Sequence, residues 1–108
     1  MTDQAIRILL ADDDAQARPL LAELLQSLGY AVVAEAGSGR DAITLAADVL
    51  PDVVLLDVHM PDGSGIEAAQ AITATGAPTA VVLFSGDAQV TLSPEQARST
   101  AAIAFLPK

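Results

Sequence analysis

The chain has 108 residues, enough for one hydrophobic core and too few for a second domain. Hydrophobic residues make up 52% of it and aromatic residues only 3%, so the core is aliphatic and alanine-rich, and a disordered chain is excluded. Fourteen acidic residues against five basic ones give a net charge of −9, which excludes direct nucleic-acid binding by this segment, since phosphate contacts need clustered Lys and Arg.

Along the chain, apolar runs of strand length alternate with stretches of 3.6-residue period, the pattern of βα units wound into a parallel sheet. Five strands and four helices are predicted. The first strand, Ile6 to Ala11, runs into Asp12-Asp13. The first helix, about residues 14–28, places Ala17, Leu20, Leu21, Leu24, Leu25 and Leu28 on one face, with Gly29 as its stop. Pro19 removes a ladder hydrogen bond if it lies beyond the first turn, so regular helix is expected only from near Ala17.

The second strand is Ala31 to Ala36. Ser38-Gly39-Arg40-Asp41 then resembles a capping box, opening a helix whose inner face is Ala42, Leu45, Ala46, Val49 and Leu50 and which Pro51 closes. The third strand, Asp52 to Leu56, meets Asp57 and is followed by a Pro-Asp-Gly turn at residues 61–63. A second capping box, Ser64-Gly65-Ile66-Glu67, leads a helix to about Ala74. The fourth strand, Ala80 to Phe84, ends at Ser85. After a long loop, Gly86 to Leu92, Ser93-Pro94-Glu95-Gln96 opens a short fourth helix. The fifth strand, Ile103 to Pro107, ends at Lys108, the only lysine.

In open α/β sheets ligands bind beyond the carboxyl ends of the strands, so four strands ending on polar residues read as one site assembled from four distant segments. Asp12 and Asp13 beside Asp57 would crowd three carboxylates into one pocket. Like charges that close repel, and a hard divalent ion that takes a few carboxylates plus water and phosphate oxygens resolves the conflict. The competing reading is that Asp12 to Asp14 only cap the first helix. Asp57, after a hydrophobic strand, suits an exposed nucleophile or an ordinary turn former. Ser85 suits a hydrogen-bond donor to a phosphoryl oxygen or a Ser-Gly turn. Lys108 suits a point charge for phosphate or a solvated terminal lysine.

Taken together, these residues resemble a response-regulator receiver domain, the phosphoacceptor module of bacterial two-component signalling. The resemblance covers about Ile6 to Lys108. It rests on Leu10-Ala11-Asp12-Asp13-Asp14, on the run from Leu55 through Asp57-Val58-His59-Met60-Pro61 to Gly65, on Phe84-Ser85-Gly86 and on Ala104-Phe105-Leu106-Pro107-Lys108.

The resemblance implies a flavodoxin-like, doubly wound five-stranded parallel sheet of order 2-1-3-4-5. It implies Asp57 as phosphoacceptor, and Mg²⁺, with Mn²⁺ as an allowed substitute, held by Asp13, Asp57 and the His59 backbone carbonyl, with Asp12 acting mainly through water. Ser85 and Lys108 would hold the phosphoryl oxygens, and Phe105 falls where the family's switch aromatic lies, with Ser85 as its partner in switching. His59 and Asp87 occupy positions that flank the route of the hydrolytic water and would tune the lifetime of the phosphorylated state. The implied partners are a sensor histidine kinase or phosphotransfer protein and an output domain or effector, and the resemblance allows a dimer.

Two other readings compete. One is a receiver-shaped interaction module that does not use phosphorylation. The other is an aspartate-nucleophile phosphohydrolase, against which His59 stands where such enzymes carry a second acid.

Residues 1–108 are expected to form one receiver domain that stops before its last helix, leaving part of Leu20 to Leu28 and the last two strands exposed. Without cysteine neither a disulfide frame nor a thiolate zinc site is available. Met1-Thr2-Asp3-Gln4 carries no basic leader, and no apolar run approaches the roughly 20 residues of a membrane span. A cytoplasmic location without a membrane partner is therefore expected.

Overall fold

In a computed structural model, which describes residues 5–60, 63–76, 78–85 and 102–107, the apolar runs become strands of one sheet. β1 (Arg7–Ala11) is buried from Ile8 to Ala11, so it reads as a continuous apolar run rather than an alternation. It lies between β2 (Ala31–Ala36) and β3 (Val53–Asp57), and β3 pairs in turn with a strand over Ala80–Ser85. Between them the chain makes a two-residue antiparallel ribbon, β4 (His59–Met60) with β5 (Gly63–Ser64), so the Ala80–Ser85 strand is β6 and the last, Ala102–Pro107, is β7. The main sheet is parallel throughout, in the order β2-β1-β3-β6-β7. With the ribbon set aside, this is the expected 2-1-3-4-5 order.

Three helices are described: α1 (Ala17–Ser27), α2 (Gly39–Val49) and α3 (Gly65–Ala74). The predicted fourth helix at Ser93 and its preceding loop lie outside the described residues. α1 begins where Pro19 allowed, because a proline in the first turn gives up an N–H that has no intrahelical partner anyway. It ends as a Schellman motif. Gly29 takes φ 99°, its N–H donates to Gln26 O at 3.0 Å, and Tyr30 N–H donates to Leu25 O at 3.1 Å. At α2 the Ser38 hydroxyl oxygen accepts the Asp41 N–H at 3.1 Å, which is the cap the sequence predicts.

Alternation along the buried strands splits the core in two. Leu9, Ala11, Val54, Leu56, Val81 and Leu83 meet Ala42 and Ala46 of α2 and Ala68, Ala69 and Ile72 of α3; the small alanines let both helices lie close to the sheet. On the other face Leu10 and Phe84 pack with Ala22 of α1, flanked by Leu21, Val32 and Leu55.

One expectation of exposure is met and one assignment of inner face needs correction. Leu20 and Leu24 of α1 and its C-cap Leu28 are 68%, 53% and 65% exposed, so the apolar arc is wider than the flank that touches the sheet, on which Ala22 is buried. The exposure expected of the last two strands is not found in β6, where Val81, Leu83 and Phe84 are buried. Leu50 is also exposed. It is not part of α2 but its left-handed cap, at φ 47° and ψ 63°, and this rotates its side chain off the helix's inner face.

Candidate functional site

The strand register brings the acidic segments together. Ala11 pairs with Leu56 and Asp57 with Phe84, so Asp12, which follows Ala11, stands level with Asp57 at the carboxyl edge of the sheet. Ser85, one residue further along β6, pairs with Pro107 of β7, and Phe105 pairs with Leu83. Four distant segments therefore reach one edge, as the sequence pattern requires. For Ser85, Phe105 and His59 the backbone placement is what is described. Lys108 and Asp87 lie outside the described residues.

Asp12 and Asp57 are both nearly sealed from solvent, at 0% and 4% exposure, whereas Asp13 is exposed. One carboxylate oxygen from each of the three lies within 4.8 Å of the others. Burying carboxylates is costly unless their charge is compensated, and here three share one small volume. An all-oxygen donor set of this kind, buried on two sides and open on the third, suits a hard divalent cation that keeps part of its water shell. The residues present thus fit Mg²⁺.

The loop that carries Asp12 and Asp13 is tied down on several sides. Asp12 N–H donates to Ala36 O at 3.0 Å, which prolongs the β1–β2 ladder by one residue. Asp12 Oδ1 accepts the Asp14 N–H at 3.0 Å, and its other oxygen, Oδ2, is buried and lies outside that turn. Capping of α1 falls to Asp14: its Oδ1 accepts the N–H groups of Gln16 and Ala17 at 2.9 and 3.1 Å, and its carbonyl accepts Arg18 N–H at 2.9 Å. The two readings of the acidic run therefore apply to different residues. Asp14 caps the helix, and Asp12 and Asp13 face Asp57.

Two residues at the site escaped the sequence reading. Arg18 reaches back from α1 and donates from Nη1 to the Asp12 carbonyl at 2.9 Å. Gly65, first in α3, sits against the Asp57 backbone and donates its N–H to Val58 O at 2.7 Å. A base six residues after Asp12, on the flank of a helix facing an acidic loop, was the available signal for the first. For the second it was a glycine inside a predicted helix, where glycine costs stability and so calls for a packing reason.

Residues 8–108 match the model of the response regulator receiver domain. The chain is 41% identical over 102 residues to the transcriptional regulatory protein PdtaR of Mycobacterium tuberculosis, an overlap covering 94% of this chain and 49% of that protein. It thus spans about half the length of that relative. Among solved structures, the response regulator domain of Thermotoga maritima CheB superposes with a TM-score of 0.84 at 33% identity, covering 97% of this chain and 79% of that one. The response regulator TrrA of the same organism, solved in complex with Mg²⁺-BeF, gives 0.84 at 30% identity over 95% of this chain and 86% of its own.

Proposed function

The chain belongs to the response regulator receiver domain family, and from that membership we propose that it is a phosphorylation-dependent switch whose phosphoacceptor is Asp57. Receiver domains are regulatory modules of two-component response regulators, and the partner on this reading is a histidine kinase or phosphotransfer protein. The carrying observation is the approach of the Asp12, Asp13 and Asp57 carboxylate oxygens to within 4.8 Å at the carboxyl edge of the sheet.

In the proposed transfer an Asp57 carboxylate oxygen forms a bond to phosphorus while the bond from phosphorus to the donor's imidazole nitrogen breaks, and its electron pair stays on the imidazole. Asp57 ends β3 at the carboxyl edge of the sheet, so its backbone is fixed; the residue is 4% exposed rather than the exposed nucleophile expected, so the donor must come to it beside Asp13, the exposed member of the cluster. Asp12, Asp13 and Asp57, with the His59 carbonyl, would hold Mg²⁺. When bound, the ion would supply positive charge to offset that of the carboxylates and of the phosphoryl oxygens. Ser85 and Lys108 are assigned to the phosphoryl oxygens, as hydroxyl donor and ammonium.

Charge gained at Asp57 then biases an equilibrium between two arrangements, with Ser85 and Phe105 assigned to the change. His59 and Asp87 are assigned to the lifetime of the phosphorylated state. Output passes to a further domain or an effector protein. No helix among the described residues is long and apolar enough to cross a membrane, and the proposed place of work is the cytoplasm.

The test is incubation with Mg²⁺ and acetyl phosphate, read by intact mass. A single phosphoryl adduct that disappears in Asp57→Asn is the expected result. A folded protein that takes no adduct would favour an interaction module without phosphorylation, and sustained release of phosphate from small phosphoesters would favour a hydrolase.

A further inference from the structure

Arg18 has no part in the proposed transfer, yet its side chain is tied directly to the acidic loop. From the second residue of α1 its Nη1 donates to the Asp12 carbonyl oxygen at 2.9 Å. Its Nε meets Glu35 Oε1 of β2 at 3.3 Å, and the side chain is only 23% exposed. Because Asp12 N–H is already held by Ala36 O, both main-chain polar groups of Asp12 are secured, one by the β2 backbone and one by a guanidinium itself moored on β2. Gly37 makes room for this arm: a Cβ there would lie 3.1 Å from Arg18 Nη1.

Fixing the Asp12 carbonyl fixes the peptide plane that leads into Asp13, and with it the direction in which both carboxylates approach Asp57. We infer that Arg18 is a positioning residue, which through the Asp12–Asp13 peptide sets how tightly the three carboxylates bind a divalent cation. This rests on the phosphoacceptor reading of the same site.

Positioning and bare charge predict opposite signs. A guanidinium near the cluster repels a dication, so if Arg18 acted only as a charge its removal would strengthen Mg²⁺ binding. If it positions the loop, removal weakens binding despite the relief of repulsion.

The experiment is calorimetric titration of the full chain with Mg²⁺ alone, with thermal unfolding in EDTA run alongside to separate folding from affinity. Arg18→Ala is expected to weaken Mg²⁺ binding about tenfold, the order seen when groups orienting metal ligands are removed. Acetyl-phosphate labelling should recover when Mg²⁺ is raised. Arg18→Lys should regain part of the loss. Arg18→Met, which keeps the aliphatic stem but has no N–H to donate to the Asp12 carbonyl, should weaken binding by a similar factor and keeps the test open if Arg18→Ala fails to fold. Mg²⁺ binding that is unchanged or tighter in Arg18→Ala, or in Arg18→Met when Arg18→Ala does not fold, overturns the positioning role and leaves the phosphoacceptor reading intact. A wild type that binds no Mg²⁺ and takes no phosphoryl group overturns both.

Discussion

Gly65 rests directly on the backbone of Asp57: a Cβ placed on it would overlap the Asp57 carbonyl oxygen and lie 2.9 Å from its carbonyl carbon and 3.0 Å from Val58 Cα. Gly65 N–H also donates to Val58 O at 2.7 Å, closing the excursion through β4 and β5 onto the residue after Asp57. Space rather than backbone freedom is what this position requires, since Gly65 is not among the residues with positive φ. α3 therefore begins against the peptide that carries the proposed nucleophile.

Gly65→Ala should accordingly be far from neutral, although alanine is the better helix former. The obstructing atoms are main chain and cannot swing aside, so either α3 or the Asp57–Val58 peptide must move. A loss of roughly 1–3 kcal/mol is expected for such overpacking, measured by urea denaturation. Displacing Asp57 by about 1 Å should also slow acetyl-phosphate labelling by about 100-fold in the fraction that folds. Full stability with a wild-type labelling rate would show that the contact is relieved without cost.

The carboxylate cluster predicts a stability that depends on the cation. Three like charges gathered at one edge oppose folding when no counterion is present, and an ion that binds only the folded chain reverses this by mass action. At Mg²⁺ about 100 times its dissociation constant the gain is about 2.7 kcal/mol. Thermal melts of the wild type should therefore rise on adding Mg²⁺ and fall back in EDTA. In EDTA Asp57→Asn should melt above the wild type, with most of the Mg²⁺ response gone. A wild-type melt indifferent to Mg²⁺ would contradict the reading of the cluster as a cation site.

Asp14 supplies a more local test. Its carboxylate accepts two of the N–H groups that open α1, so Asp14→Ala should cost about 1 kcal/mol, whereas Asp14→Ser or Asp14→Asn should keep most of the cap. Urea denaturation midpoints would show the difference. Equal losses in all three variants would mean that charge near the helix, rather than the hydrogen bonds, carries the effect.

The features legible in the sequence are those that repeat along the chain. β1 is buried on both faces and β3 is buried on one and half-buried on the other, so both appear as unbroken apolar runs, and a parallel sheet built from such runs must collect Asp12, Asp57 and Ser85 at one edge, because each follows or ends its run. Helix ends were legible where the cap is a side chain or a glycine, as at Ser38 and Gly29. What stayed hidden depends on contacts between segments distant in sequence. The close approach of Gly65 to Asp57 follows from the return through a two-residue ribbon that no periodicity marks. Arg18 acquires its partners only when β2 lies beside β1. The exposure of Leu20, Leu24 and Leu28 reflects how the sheet meets α1, and periodicity alone defines an apolar arc without saying which part of it is covered.

Leu50 offers a prediction at the opposite edge of the sheet, before β3 begins. It caps α2 at φ 47°, where a non-glycine residue crowds its own Cβ against the following carbonyl, at a cost of about 1–2 kcal/mol. Pro51 enforces the break, because the residue before a proline is barred from continuing the right-handed helix. The Leu50 carbonyl accepts Arg7 Nη1 at 2.9 Å, a main-chain contact that does not depend on the leucine side chain. The Leu50 side chain is mostly exposed and lines one rim of a cavity of about 370 Å³ shared with Ile43, Ala46 and Ile72, so truncating it forfeits the burial of less than half a leucine, about 1 kcal/mol. Glycine would relieve the strain but gain about 0.4–1 kcal/mol of unfolded-state entropy. Leu50→Gly should therefore lie within about 0.5 kcal/mol of the wild type, because relief of the strain is offset by the unfolded-state entropy and the lost burial. Labelling at Asp57 should not change. A clear loss of stability on urea denaturation would show that the leucine contributes more by packing over the cavity than its backbone costs.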